Sequence, residues 1–309
     1  MTLTTRRGFM RAAMTTSAGI ALAGTSLRGM GAQANQKLEV QNLGARLALI
    51  TGGAANVLVV GSDEGALLID GGSRADSAAL LQLAPGAVGA SKVHTLINTH
   101  WHPEQTGSNE TLGKQGARII AHENTRLWLT RKIIVDWSSA PFPAFAKVAQ
   151  PNKSFYTTDK LAFGGEDISL GHLGQAHTDG DIHVYLPKAN VLIAGGAVSN
   201  AGWPLVDWQT GGWIGGLVGA HDRLLKIAND STRIVPANGP VMTRKDLESQ
   251  RTMYFQIYDR LVKQLTKGMG PDEAYASGPA KEYEARWGDS RQFVLAAFRS
   301  LWGHYAPDA

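Results

Sequence analysis

The chain has 309 residues, 43% of them hydrophobic, with 36 glycines and no cysteine. This length and composition are typical of a globular α/β protein with one large domain or two modest ones. The lack of cysteine excludes disulfides, thiolate metal ligands and a cysteine nucleophile, so any metal must be held by histidine, carboxylate or amide groups.

The N-terminal residues 1–34 are typical of an export signal. Arg6 and Arg7 form a twin-arginine pair, a weakly apolar run follows at 12–23, and a small-x-small cleavage site lies at 32–34. We expect the twin-arginine translocase to be a partner during export and the mature protein to be periplasmic or secreted. A disordered basic arm is the alternative, but it does not explain the order of these three features.

The charge of this segment changes the interpretation of the whole chain. Residues 1–34 contain four arginines and no acidic residue, so this segment carries a charge of +4. The whole chain has the same formal net charge, +4, so the mature part is formally neutral. We therefore expect no nucleic-acid partner and no membrane partner after cleavage. No other apolar run approaches the ~18 residues that a membrane-spanning helix needs.

The first half of the mature chain alternates strand and helix patterns. Short β-rich runs separated by turns predict an antiparallel meander from Leu38 to Gly72. Helical spacing over Arg74–Leu83 precedes an apolar strand, Val93–Asn98. The pattern then predicts a helix at about 105–115, a strand at 118–121 and a helix around 125–134.

The second half adds strands and then longer helices. The segment Val135–Thr158 is irregular and rich in proline and aromatic residues, and it forms either a lid over a substrate pocket or local core. Strands are predicted at 160–162, 167–173, 181–186, 191–194 and 233–235, and helices at 213–228, 243–267 and about 290–304. This order predicts an α/β fold with two sheets face to face and helices outside, a four-layer αββα sandwich. We expect one domain over 35–309, with a helical extension from about 243.

Polar residues follow three of the predicted strands. The strand Val93–Asn98 ends in a loop with His100 and His102, a spacing that can direct two imidazoles to one point, although a loop histidine is more often only solvated. His177 lies between two strand-like runs, among small residues that allow a tight turn. Asp70 ends another strand before two glycines, either as a turn residue or as a carboxylate that supports the histidine loop.

Five motifs in this order resemble the metallo-β-lactamase superfamily, and together they cover nearly all of residues 38–241. They read L-I-D-G-G, T-H-W-H-P-E-Q-T-G, A-H-T-D-G-D, V-L-I-A-G-G and I-V-P-A-N-G-P-V. The resemblance implies the αββα fold and a hydrolase whose metals, usually zinc, lie at one edge of the sandwich between the two sheets. It also implies that His100, His102 and His177 form the first metal site.

The second metal site implied by the resemblance is altered. In the family pattern H-x-H-x-D-H, Glu104 stands at the aspartate and Gln105 at the second-site histidine. Gly196 stands where an acid often bridges the metals, and Asn238 stands at a distal histidine. Because every change falls on the second site, we expect one divalent ion. Zinc is the expected ion, with iron and manganese as alternatives.

A site with three histidines and an altered second metal position predicts an exported hydrolase, in which a metal-bound water attacks an ester, lactone or amide-like substrate. Glu104 is expected to act as general base or water-orienting acceptor, with direct metal ligation as the competing role, and Asp70 as a supporting carboxylate. Trp101, Trp203 and Trp208 either wall an apolar pocket or pack against a neighbouring helix.

Two other functions fit the same residues. One is a catalytically silent or binding member of the fold, and the other is an iron enzyme with oxidative chemistry at three histidines. Further polar residues are given structural roles: Asp207 is expected to cap the next helix, His122 to lie outside the metal shell, and His183 to point to either face of its strand.

Overall fold

The computed structural model describes residues 37–305. In this part of the chain the strands are β1 (Glu39–Gly44), β2 (Leu47–Thr51), β3 (Val57–Ser62), β4 (Gly65–Ile69), β5 (Val93–Ile97), β6 (Arg118–His122), β7 (Lys153–Phe155), β8 (Thr158–Phe163), β9 (Glu166–His172), β10 (Ile182–Leu186), β11 (Val191–Ile193) and β12 (Arg233–Val235). The α-helices of the same part are α1 (Ser77–Ala87), α2 (Pro103–Thr106), α3 (Asn109–Lys114), α4 (Glu123–Leu129), α5 (Ile214–Ile227), α6 (Arg244–Thr266), α7 (Pro271–Ala276), α8 (Glu284–Trp287) and α9 (Arg291–Tyr305).

The strands form two mixed sheets. The first has seven strands in the order β1 to β7, antiparallel up to β4 and parallel from β4 to β7. The second has five strands in the order β12-β11-β10-β9-β8, in which only the β11–β12 pair is parallel. The predicted meander at the start of the chain is therefore confirmed as the antiparallel half of the first sheet.

Three apolar layers hold the two sheets and the helices together. Strands of both sheets bury side chains against each other, such as Leu58 and Ile97 against Ile182 and Val184. The outer face of the first sheet packs against α1, and the outer face of the second packs against α5, α6 and α9. The four-layer αββα sandwich is therefore confirmed.

The helices after residue 243 complete the outer layer of the second sheet. Helix α6 begins with a capping box between Thr243 and Asp246. The helix predicted at 243–267 is confirmed, and one apolar stripe of it, with Tyr254, Ile257 and Leu261, is fully buried in the core that includes α5 and α9. These helices share a core with the second sheet and do not form a separate unit.

None of the helices between residues 37 and 305 combines the length and the apolar character that a membrane crossing requires.

Several predicted elements differ from the structure in their limits. The helix expected at 105–115 is interrupted between α2 and α3, where Gly107 donates its N–H to Gly72 O at 2.9 Å. A Cβ on Gly107 would lie 2.3 Å from Arg74 N, so the 72–74 backbone passes directly against it. The segment expected to be irregular contains β7, which pairs with β6. These differences come from contacts between distant segments.

The ends of several strands bring the candidate site together. Strands β4 and β5 are parallel neighbours, so Asp70 and the loop after Ile97 leave the first sheet at the same edge. The loop between β9 and β10 reaches the same place, where Ile182 donates its N–H to Thr99 O at 3.0 Å. Histidines from both sheets can therefore meet at one edge of the sandwich.

Candidate metal centre

His100, His102 and His177 form a tight cluster at this edge. One ring nitrogen from each lies within 4.8 Å of the others, and the ring centroids are 4.6 to 4.8 Å apart. All three side chains are buried, with 1%, 4% and 5% of each residue exposed. The structure thus brings together the three histidines that the sequence indicated as ligands.

Asp70 supports His100 through Thr99. The buried Asp70 carboxylate accepts hydrogen bonds from Thr99 N and Thr99 Oγ1, both at 2.8 Å. Since the Thr99 hydroxyl donates to Asp70, it accepts from His100 Nδ1 at 3.0 Å. Asp70 therefore anchors the histidine loop from behind, and His100 Nε2 is left unprotonated.

His102 is held by Asp207. His102 Nε2 lies 3.0 Å from Asp207 Oδ2, and both side chains are buried. Asp207 precedes a short 3-10 helix, Trp208–Thr210, but its carboxylate makes no capping bond to that backbone. The expected capping role of Asp207 is therefore wrong, because the carboxylate turns inward to the histidine.

His177 is fixed by its own loop and by a backbone carbonyl. Its Nδ1 donates to Leu205 O at 2.5 Å. The buried Asp181 carboxylate accepts from His177 N and Thr178 N, which closes the loop around the imidazole. Leu205 contributes only its main chain, so its residue type gives no sequence signal for this role.

The hydrogen bonds determine which nitrogens carry lone pairs. In the neutral form of both rings, His102 Nε2 donates to a carboxylate and His177 Nδ1 to a carbonyl, which leaves His102 Nδ1 and His177 Nε2 unprotonated. These two acceptor nitrogens face each other at 3.1 Å. Two neutral acceptors repel at that distance, whereas two nitrogen ligands of one tetrahedral zinc ion are roughly 3.3 Å apart. The donor set fits a metal ion.

Burial favours the neutral form of His100 and His177. Desolvation, together with the neighbouring imidazoles, lowers the pKa of His100 well below its usual value. Desolvation and His102 lower the pKa of His177 to about 3. Neutral imidazole is the form that binds metal, so these two histidines need no deprotonation near neutral pH to do so.

Gly196, Asn238 and Gln105, three of the four positions at which the sequence predicts an altered second site, differ in their surroundings. A Cβ built on Gly196 would lie 2.1 Å from His177 Cδ2, so the imidazole occupies the space that a side chain would need. With its amide nitrogen facing the backbone, Asn238 donates to Ala54 O at 2.7 Å. Gln105 is buried, and its Oε1 has no hydrogen-bond partner among the described residues.

Glu104 lies beside the cluster but is not part of it. It is half-buried in the first turn of α2, two residues after His102. Within residues 37–305 its carboxylate makes no hydrogen bond or ion pair, and it does not belong to the group of metal-ligating atoms. This carboxylate is therefore free to bind a molecule at the site.

Aromatic residues flank the cluster on one side. Trp137 contacts His102 with ring centroids 5.0 Å apart, and it also contacts the buried Trp101 at 6.0 Å. The segment predicted as lid or local core contributes local core, since Val135, Trp137, Phe142 and Phe145 pack in one cluster with Trp101. Trp203 instead stacks on Phe293 in the outer layer, and Trp208 is partly exposed.

The remaining histidines near the sheets are structural. His122 donates from Nε2 to Tyr156 O at 2.7 Å and stacks on His172 with centroids 3.8 Å apart. His183 is buried against Gly171, apart from the cluster. Burial lowers the pKa of His122 and of His183 to about 4, so both are neutral near pH 7.

Asp207→Asn should weaken metal binding by roughly 10- to 100-fold, because the amide no longer fixes the His102 tautomer. The measurement is a competition titration against a chromophoric chelator. Asp222→Asn is the control, since that carboxylate pairs with Arg251 on the surface. Unchanged affinity in Asp207→Asn would mean that the His102–Asp207 contact has no part in metal binding.

Comparison with known proteins agrees with this geometry. Residues 50–272 match the family model described as the metallo-beta-lactamase superfamily. A metallo-beta-lactamase from Pontibacter korlensis is similar in structure, with a TM-score of 0.58, 22% identity, and coverage of 71% of this chain and 99% of that one. A metallo-beta-lactamase from Hirschia baltica is also similar, with a TM-score of 0.56, 17% identity, and coverage of 70% and 97%. At these identities the structural likeness shows the fold alone.

Proposed function

The chain belongs to the metallo-β-lactamase superfamily, and from that premise we propose that it is a metallo-hydrolase with one metal ion, acting on an ester, lactone or amide-like small molecule. The observation that carries the proposal is the pair of unprotonated nitrogens, His102 Nδ1 and His177 Nε2, facing each other at 3.1 Å. With His100 Nε2 they make three neutral nitrogen donors. That set suits zinc, and we propose zinc as the resident ion.

The proposal of one ion rests on the altered positions. The His177 ring leaves no room for a side chain at Gly196, and the amide of Asn238 is used by the backbone. The neutral amide of Gln105 is a poor zinc ligand. A second ion would therefore lack the charged donors that hold a metal in water.

When bound, a zinc ion with three histidine ligands and an open position lowers the pKa of a coordinated water to about 7. We propose Glu104, two residues after His102 and without a hydrogen-bond or ion-pair partner among the described residues, as the carboxylate that accepts the proton. Asp70, Asp207 and the Leu205 carbonyl fix the orientation of the three imidazoles. Trp137 shields one side of the site from water.

We also propose that the protein acts outside the cytoplasm. Residues 1–34 carry the twin-arginine pattern and lie outside the described residues. Twin-arginine export carries folded proteins, so the ion would be loaded before transport. Metal analysis therefore belongs on protein purified after export.

The mature protein should contain about one metal ion per chain. The measurement is elemental analysis of exported protein, followed by assay on chromogenic esters, lactones and β-lactams. A content near two ions would contradict the single-metal site. If no substrate in the panel were hydrolysed and a small molecule were tightly bound, the protein would be a binding protein and not a hydrolase. If the ion were iron and the protein showed oxidative turnover, it would be a redox enzyme.

A further inference from the structure

The rim of the histidine site carries an exposed aromatic surface. Trp137 is only half-buried, and it lies between His102 and Phe142, with centroid distances of 5.0 and 5.3 Å. The Trp137 ring therefore lies directly beside a proposed ligand, at a position that is not fully buried. An apolar group bound there would be removed from water against a flat ring.

The same rim lacks an available positive charge. The loop of residues 195–213 contacts His177 through Leu205 and His102 through Asp207. The loop of residues 236–240 lies beside it, where Asn200 donates its N–H to Asn238 O, and neither loop contains lysine or arginine. In neighbouring loops of the described chain, Arg74 pairs with Glu110 and Arg131 lies over the Trp128 ring. A bound carboxylate would find no free cation from these groups.

Two further charged side chains bear on whether an anion can bind at the rim: a lysine that points away from it and a glutamate beside it. Lys132 is exposed, but its neighbour Ile133 points into the aromatic cluster from an antiparallel bridge with Phe142, so Lys132 points away. Glu104 is half-buried beside the cluster with no ion pair among the described residues, and it would repel a second carboxylate.

We infer that this site takes uncharged esters or lactones whose acyl or aryl group is apolar and lies against Trp137. The inference rests on the proposed hydrolase function and narrows its substrate class. In the reaction, the oxygen of water joins the acyl carbon and the ester C–O bond breaks, which gives a carboxylic acid and an alcohol. The acid then loses its proton to water.

The position of Trp137 depends on the last helix of the structure. The preceding residue, Asp136, accepts a hydrogen bond from Arg299 of α9 at 2.9 Å. Asp136 N also donates to Gln209 Oε1 at 2.6 Å. Two contacts from separate segments therefore hold the aromatic loop over the site, and neither involves a proposed metal ligand.

The test compares two esters of equal chain length, 4-nitrophenyl pentanoate and mono-4-nitrophenyl glutarate, on the metal-loaded protein. We expect kcat/KM for the uncharged ester to be higher by at least about tenfold. Trp137→Ala should lower kcat/KM, expressed per bound metal ion, roughly tenfold more for pentanoate than for glutarate. Trp137→Phe should restore most of the preference.

Arg299→Ala should shift the preference in the same direction by a smaller factor, about two- to fivefold, because the loop loses one of its two anchors. The matched control is Arg291→Ala, since Arg291 lies on the same helix and pairs with Asp272 at 2.8 Å away from the aromatic loop. Equal effects of the two arginine changes would mean that the helix acts only through stability.

The outcomes separate this inference from the function beneath it. Equal or faster hydrolysis of the glutarate ester would overturn the substrate class and leave the hydrolase intact. An equal loss of kcat/KM for the two esters in Trp137→Ala would overturn the role of Trp137 as a substrate wall. Hydrolysis of neither ester, nor of any lactone, would overturn the proposed function and this inference with it.

Discussion

Replacing Gly196 with aspartate should remove metal from the histidine site and should not add a second ion. The superfamily often has an acid at this position, so the change restores a family residue. In this chain, however, a Cβ at position 196 would lie 2.1 Å from His177 Cδ2 and 2.5 Å from His177 Nε2. The imidazole must move, and we expect metal affinity to fall by more than about 100-fold.

The measurement is metal content after dialysis, with circular dichroism to establish that the variant is folded. Gly196→Ala should have a similar effect, since the Cβ alone causes the clash. Gly303→Ala is the control, because a Cβ there meets no atom within 4 Å. Two tightly bound ions in Gly196→Asp would show that His177 and a second site can coexist.

Replacing Glu104 with glutamine should lower kcat by roughly 10²- to 10⁴-fold while the protein keeps its metal. The carboxylate lies beside the histidine cluster without a partner among the described residues, and the amide cannot accept a proton at neutral pH. The measurement combines steady-state kinetics with metal analysis of the same preparation.

Glu64→Gln is the control for this change, since Glu64 is an exposed carboxylate near His94. If Glu104→Gln lost its metal, Glu104 would be a ligand. If turnover were unchanged, another group would have to accept the proton.

Local pattern was sufficient for much of the fold. The limits of helix α6 and of strands β9 to β12 were predicted to within one or two residues, because each element buries a regular set of apolar side chains. The break in the helix at Gly107 was not predicted, because it is imposed by the backbone of residues 72–74, which comes from another part of the chain. The short segment β7 is a strand because it pairs with β6, which its own sequence does not indicate.

The residues of the candidate site also fall into two groups, those that local sequence could predict and those that it could not. His100, His102 and His177 could be predicted because their residue type and spacing carry chemical information. Asp207 reaches His102 from 105 positions along the chain, a relation that no local pattern reveals. The carbonyl of Leu205 has no residue-type signal at all.

The ion pair between Asp136 and Arg299 has a consequence for how such an enzyme can change over time. The match to the family ends at residue 272, and Arg299 lies beyond it. The side chains that would hold the ion and the helix that steadies the aromatic loop are thus encoded in separate stretches of sequence. Mutations in the last helix can alter which compounds fit while the ion-binding histidines stay the same. On the hydrolase proposal, selection on substrate range can therefore act on the last helix separately from selection on the ion-binding histidines.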